Sequence, residues 1–346
     1  MSVTELEFQA SVVEAAPEQA IEGRSQWQLT WRRLRHDKMA VASIVVILIM
    51  TVLALLAPVF AAVLHHGEYQ AFTGAGLSSA GIPMGPGTHG FPLGTDYVGR
   101  DLLVRILYGA RISLFVGIST TLMATVAGVG MGLVAGYFGG HVDTLLARFA
   151  DVVLAFPILV LALALAAIYG PSLLIVLGVI TFFSWAGIFR IVRGQTLSIK
   201  EKEYIEAARS LGAGPWRIMF IDVLPNLLGP VLVLATLYIP TAVVFEATLS
   251  FLGIGIPAPT PSWGVILSEA QNYYQVSWWY VVFPALALLI TTLAFNLLGD
   301  GIRDAMDPRT ERLFAARGNR RQRRTRKTRP AGPDALPPLT VSELGE

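Results

Sequence analysis

The 346-residue chain has 14% charged residues and a mean hydropathy of +0.59. An ordinary soluble domain carries about 25% charged residues, so lipid, not a single water-excluding core, must accept the apolar surface of this chain. It has no cysteine, which excludes disulfides, thiol nucleophiles and thiolate metal sites.

In chain order, residues 1–38 are polar. Glu5, Glu7, Glu14, Glu18 and Glu22 precede Arg24, Arg32, Arg33, Arg35 and Lys38. No short apolar core with a cleavage site precedes the first long apolar run, so that run is expected to act as its own insertion signal. A bilayer core of roughly 30 Å needs about 20 apolar residues of helix. Met39 to Leu64 meets that length and is the first expected span. Residues 65–100 form a Gly- and Pro-rich loop that holds His65, His66 and His89, read as a solvated loop in preference to a metal site. Residues 101–111 read as a short interfacial amphipathic helix, closing an external segment 65–111.

Residues 112–300 are expected to form a five-helix core. Ile112 to Phe138 gives the second span. Val152 to Phe189 is uncharged and long enough for two spans, with a reversal at Gly170-Pro171. Leu227 to Leu252 gives the fifth, interrupted by Glu246, and Ser277 to Gly299 the sixth. In lipid the backbone must satisfy its own hydrogen bonds, so the runs are expected to be helical and the fold class all-α, an integral membrane protein with six transmembrane helices. With both termini cytoplasmic, 23 of the 26 Lys and Arg residues lie inside, as the positive-inside rule requires. The other three, Arg100, Arg105 and Arg111, are expected to sit with Asp96 and Asp101. Residues 301–346 form a basic cytoplasmic tail with eight basic residues between Arg317 and Arg329. It is read as a disordered segment held near anionic lipid, not as a nucleic-acid arm.

Within the spans, Gly128, Gly132 and Gly136 recur every fourth residue on one helix face. That spacing is expected to let a second helix approach closely; a dinucleotide fingerprint would need a strand–turn–helix unit that an uncharged span cannot supply. Glu246 lies about 28 Å along its helix from Leu227 at 1.5 Å per residue, which is expected to bring it near the outer surface. Glu246 and Asn296 are the candidate translocation-path residues, Asn296 being also expected to bond a neighbouring helix. Trp263, Trp278, Trp279 and Tyr280 are expected to form an aromatic belt.

The segment 194–226 between the fourth and fifth spans is the most informative. Tyr204, Ala207, Ala208 and Leu211 fall at i, i+3, i+4 and i+7 and mark one stripe of a helix. Gly212 is expected to stop that helix through a positive φ. Pro215 suits the first turn of a second helix, with Trp216, Met219, Phe220 and Val223 on one face and Pro225 at its close. Apolar stripes in an inner loop need cover, from the ends of the spans or from a partner protein. Glu206 is read as pairing with a partner's basic residue or with Arg209, or as a solvated charge.

Glu206-Ala207-Ala208, Gly212 and Leu224-Pro225 resemble the "EAA" loop of ABC-importer permeases. Further motifs are similar to the C-type permease of the dipeptide/oligopeptide/nickel group. These are Leu93-Gly94-Thr95-Asp96 with Gly99-Arg100-Asp101, Gly139-Gly140 with Asp143, Glu246 to Gly253, Pro261-Ser262-Trp263-Gly264, and Asn296 to Gly301 with Arg303-Asp304 and Asp307-Pro308-Arg309. The resemblance runs from about residue 27 to 312. It implies a type I importer permease fold in a bacterial inner membrane. It also implies a homologous permease subunit forming a heterodimer, two ATPase subunits and an extracellular substrate-binding protein. The EAA loop would couple the chain to the ATPase, the cargo being a di- or oligopeptide or, alternatively, a nickel chelate or another small solute. No Gly-x-x-x-x-Gly-Lys-Ser/Thr loop occurs, so no cofactor is expected on this chain and ATP with Mg belongs to the partners. A membrane enzyme is disfavoured because no catalytic motif occurs. An ion-coupled carrier would want several mid-membrane charges, and only Glu246 offers one.

Overall fold

The computed structural model describes residues 26–306. Most of that stretch is helical, and the described residues include only three isolated β-bridges. The helices are α1 (Gln26–His36), α2 (Lys38–Leu55), α3 (Ala57–Leu64), α4 (Leu102–Phe138), α5 (Gly140–Ala155), α6 (Ile158–Tyr169), α7 (Leu173–Ile199) and α8 (Glu203–Ser210). A single turn at Pro215–Arg217 and a π-helical segment, Ile218–Val223, lead into α9 (Leu224–Phe251), followed by α10 (Trp263–Ala270) and α11 (Trp278–Met306). Five of these helical stretches are long and apolar enough to cross a membrane, and a sixth arises if α5 and α6, bent by 78°, count as one span.

Local chemistry moves several expected boundaries. The first apolar run breaks at Leu56, because Pro58 lacks the N–H that would continue the helix and instead sits in the first turn of α3. The expected interfacial helix at 101–111 is the start of α4. Asp101 caps α4 by accepting from the amides of Leu103 (2.8 Å) and Val104 (3.3 Å), and no break follows before Phe138. Leu102, Val104, Arg105 and Ile106 are buried in protein. The third span is broken at Phe156-Pro157 because Pro157 ends the pairing of α5. The reversal at Gly170 has φ +80°. The fourth span runs ten residues past Phe189, to Ile199. The basic tail and the first 25 residues lie outside the described residues.

The largest helix–helix contact joins α4 to α7, and α9 packs on both α4 and α11. α2 lies against α11, and α10 lies against α9 and α11. The molecule thus has two distinct ends, one carrying α8 and the other carrying α10 with the 65–101 loop.

Candidate functional site

α8 is short, eight residues, so its end chemistry matters more than its propensity. Glu203 and Glu206 stand in its first turn and Arg209 in its last, the arrangement the helix dipole favours. Gly212 follows with φ +81°. Its amide donates to the Arg209 carbonyl at 2.9 Å, and the Ala213 amide donates to the Ala208 carbonyl at 3.0 Å. These are the two bonds of a Schellman termination, and they turn the chain sharply into Pro215.

The turn is seated by residues that the periodic stripe did not single out. Ile205 is fully buried and joins Ile218, Met219, Val223 and Leu227 in one core cluster. The apolar stripe itself is left uncovered by the ends of the spans: Tyr204, Ala207 and Leu211 are exposed, with Ala208 half-buried. Leu211 is 89% exposed and Trp216 62% exposed. The expected second face also splits. Met219 and Val223 are buried, whereas Trp216 and Phe220 stack on each other outside with ring centroids 6.0 Å apart and planes at 13°. The Phe138 ring meets the Trp216 ring edge-on at 6.4 Å. The Arg209 guanidinium lies over the Tyr137 ring at 5.5 Å, while Glu206 is exposed and makes no ion pair with Arg209. Pro225 does not close a helix. The π-helical segment immediately before it changes the hydrogen-bond register, so the proline falls in the opening turn of α9.

Gly128, Gly132 and Gly136 line the α4 face that meets α7. A Cβ on Gly128 would lie 2.8 Å from the Ile188 Cβ, one on Gly132 2.9 Å from the Val192 Cβ, and one on Gly136 2.6 Å from the Thr196 Cβ. All three approaches are too close for any side chain, so the helices touch along their backbones there. Beyond this contact, Arg193 and Asp143 form a two-pronged ion pair, with Nη2 to Oδ2 at 2.6 Å, joining α7 to α5.

Glu246, expected near the outer surface, is fully buried in protein. Its carboxylate accepts from Ser113 Oγ (2.7 Å) and Ser250 Oγ (2.8 Å). The Trp263 indole donates to the Ile106 carbonyl at 3.2 Å. Glu246 therefore ties α4 to α9 just where α10 begins. No local signal in the sequence links Glu246 to Ser113, 133 residues away. Asn296 is exposed on α11 and bonds to no neighbouring helix.

A second tie at this end involves Glu269 and Tyr280, which the sequence reading did not connect to the arginines. Arg105 Nη1 lies 2.6 Å from Asp96 Oδ2 and 2.5 Å from Glu269 Oε2. Arg100 Nε lies 2.5 Å from the same Asp96 oxygen, and the Tyr280 hydroxyl donates to Glu269 Oε2 at 2.9 Å. Asp101 pairs with His66 at 2.6 Å, not with an arginine, and Arg111 is exposed over the Tyr108 ring. Burial lifts the Glu68 carboxyl above its ordinary range, with Arg111 and Tyr69 opposing the shift. Trp263 and Tyr280 are buried, so the expected aromatic belt reduces to the exposed Trp278 and the half-buried Trp279. No cluster of three metal-ligating side chains exists among the described residues.

Residues 128–312 match the model of the binding-protein-dependent transport system inner membrane component family. Residues 25–73 match the N-terminal transmembrane domain of oligopeptide transport permease C. The oligopeptide transport system permease protein OppC of Escherichia coli K12 is 43% identical over 289 residues, covering 84% of this chain and 93% of that protein. The chain belongs to this permease family. The OppC of Haemophilus influenzae is 39% identical over 303 residues, 88% of this chain and 95% of that protein. The dipeptide transport system permease protein DppC of Bacillus subtilis is 40% identical over 289 residues, 83% of this chain and 87% of that protein. Family membership makes this a multi-span transport protein of the inner membrane. In this permease the buried carboxylate ties lie at the α10 end, while Leu211, Trp216 and Phe220 stand exposed as apolar knobs at the α8 end.

Proposed function

We propose that this chain is a non-catalytic permease subunit of an ATP-driven importer that carries di- or oligopeptides into a bacterial cytoplasm. The peptide cargo rests on the named functions of relatives that are about 40% identical over most of both chains; a nickel chelate or another small solute is the alternative cargo. The α8 end and both termini face the cytoplasm, supported by the 23 inner basic residues out of 26.

The observation that carries the coupling role is the exposed apolar cluster of Leu211, Trp216 and Phe220 around the Gly212 turn. Leu211 lies outside every stretch long and apolar enough to cross a membrane, so its outward apolar side chain lacks a reason within the chain; a partner's groove supplies one. The partner is an ATPase subunit, one of two, which holds ATP and Mg. A homologous permease completes a heterodimer, and an extracellular binding protein delivers cargo. Ile205 keys α8 into the helix bundle, so a displacement of α8 passes through the π-helical segment to α9 and the Glu246 tie. Nucleotide acts by favouring one of two arrangements through contacts that differ between them. Glu206 and Arg209 flank the knobs and set the charge of the contact.

Reconstitution with the second permease and two ATPase subunits tests this. Peptide-loaded binding protein should stimulate both ATP hydrolysis and uptake of labelled peptide. A chain that binds no ATPase and supports no uptake in that mixture would refute the reading.

A further inference from the structure

α1 is an amphipathic helix that the transport reading does not use. It is separated from α2 by Asp37 alone, whose extended backbone stops the two from forming one continuous helix. The Asp37 carboxylate is committed to capping α2, accepting from the Met39 amide at 2.9 Å. One face of α1 is fastened: Leu34 is buried against Ala40 and Ala305, and Arg33 Nη1 donates to the Ala305 carbonyl at 3.3 Å near the end of α11. The other face is open. Trp31 is 53% exposed and the Arg35 guanidinium lies 4.8 Å over its ring. Arg32 is exposed one residue on, and its carbonyl is bonded by His36 at 2.7 Å. The helix sequence, QWQLTWRRLRH, holds no acid. Among the described residues neither Arg32 nor Arg35 has a carboxylate partner.

We propose that the open face of α1, formed by Trp31, Arg32 and Arg35, binds the headgroups of anionic phospholipids in the leaflet from which α2 enters the membrane. The inference rests on the orientation proposed above only for naming that leaflet as the cytoplasmic one. Three features favour lipid over a protein partner. The helix adjoins a span through a single residue, so its exposed face stays at headgroup depth. An indole stacked under a guanidinium combines an interfacial apolar body with a fixed cation. Two guanidiniums without carboxylate partners among the described residues present fork-shaped donors suited to phosphodiester oxygens. Each basic residue near an anionic surface is worth about a fivefold gain in association.

The absence of cysteine from the whole chain makes a site-specific test direct. Gln28→Cys, carrying a nitrobenzoxadiazole label, is reconstituted as the full chain in phosphatidylcholine vesicles. Quenching by brominated phosphatidylglycerol is compared with quenching by brominated phosphatidylcholine at equal mole fraction. The expected ratio exceeds about five at low salt and falls toward one in Arg32→Gln/Arg35→Gln and at high ionic strength. A label at Leu48, on the exposed side of α2, should show no preference in either background. A ratio near one with both arginines present, or a ratio indifferent to their removal, overturns the proposal. So does a label shielded from both lipids and from aqueous quencher, which would assign the face to a protein partner. Sidedness is read separately, with an impermeant maleimide on Leu211→Cys in spheroplasts, so a wrong orientation is told apart from an absent lipid preference.

Discussion

The Ala213 amide donates to the Ala208 carbonyl at 3.0 Å, and this bond sets the direction in which the α8 turn presents Leu211. It can form only because Gly212 holds φ +81°, with nothing within 4 Å of where its Cβ would be. The demand on Gly212 is therefore conformational, not steric. A side chain there strains the backbone by about 1–2 kcal/mol without disturbing the buried seat of Ile205. Gly212→Asp should insert and accumulate normally, yet lower peptide uptake per ATP hydrolysed. Glu206→Lys should act in the same sense by inverting a charge beside the knobs. Uptake and hydrolysis measured together in one vesicle preparation check both; a wild-type ratio for Gly212→Asp at equal abundance contradicts the coupling role of the turn.

The α4–α7 contact makes a sharper stability prediction. Gly132→Val forces a side chain toward the Val192 Cβ, whereas Gly130, two residues away, has nothing within 4 Å. The first substitution should destabilise by about 1–3 kcal/mol and the second by under about 0.5 kcal/mol. Apparent melting temperatures of the purified chains in one detergent decide between them.

Arg105 is fully buried between Asp96 and Glu269. Arg105→Met leaves Asp96 and Glu269 to share Arg100 as their one remaining cation and should destabilise by about 3–5 kcal/mol. Adding Glu269→Gln should recover part of that loss, since it leaves Asp96 and Arg100 as a balanced pair. Thermal melting of the two single variants and the double one measures the coupling.

Glu246 and Asn296 should differ in reach. Glu246→Cys is expected to resist a water-soluble maleimide in the folded, detergent-solubilised chain, and Asn296→Cys to react. Glu246→Ala should destabilise by about 1–3 kcal/mol, because Ser113 and Ser250 lose their acceptor. Rapid labelling at 246 would restore it to a water-filled path.

What the sequence makes legible is what local chemistry decides. Gly212 stands one residue past a helical stripe, and Gly128, Gly132 and Gly136 share a face by spacing alone. The reversal at Gly170-Pro171 is announced by its residue types. Other features depend on partners far along the chain. Glu269 is 164 residues from Arg105, and Ser113 is 133 from Glu246, so neither pairing has a local signature. The charges on Arg105 and Arg111 ended the uncharged run and suggested a boundary that α4 ignores, because Arg105 is neutralised inside the protein. In α8, eight residues allow two readings of the buried face. Ile205 wins because the π-helical segment packs Ile218, Met219 and Val223 beneath it, a contact no periodicity records.

Coupling requires that the knobs at the α8 turn touch a nucleotide-hydrolysing partner. Leu211→Cys carrying a benzophenone cross-linker, irradiated in the assembled transporter in native membranes, tests this most directly. The expected cross-linked product contains an ATPase subunit, and its yield changes when ATP is bound. A label that reacts with reagents added outside the cell, or that cross-links to lipid alone, would contradict it.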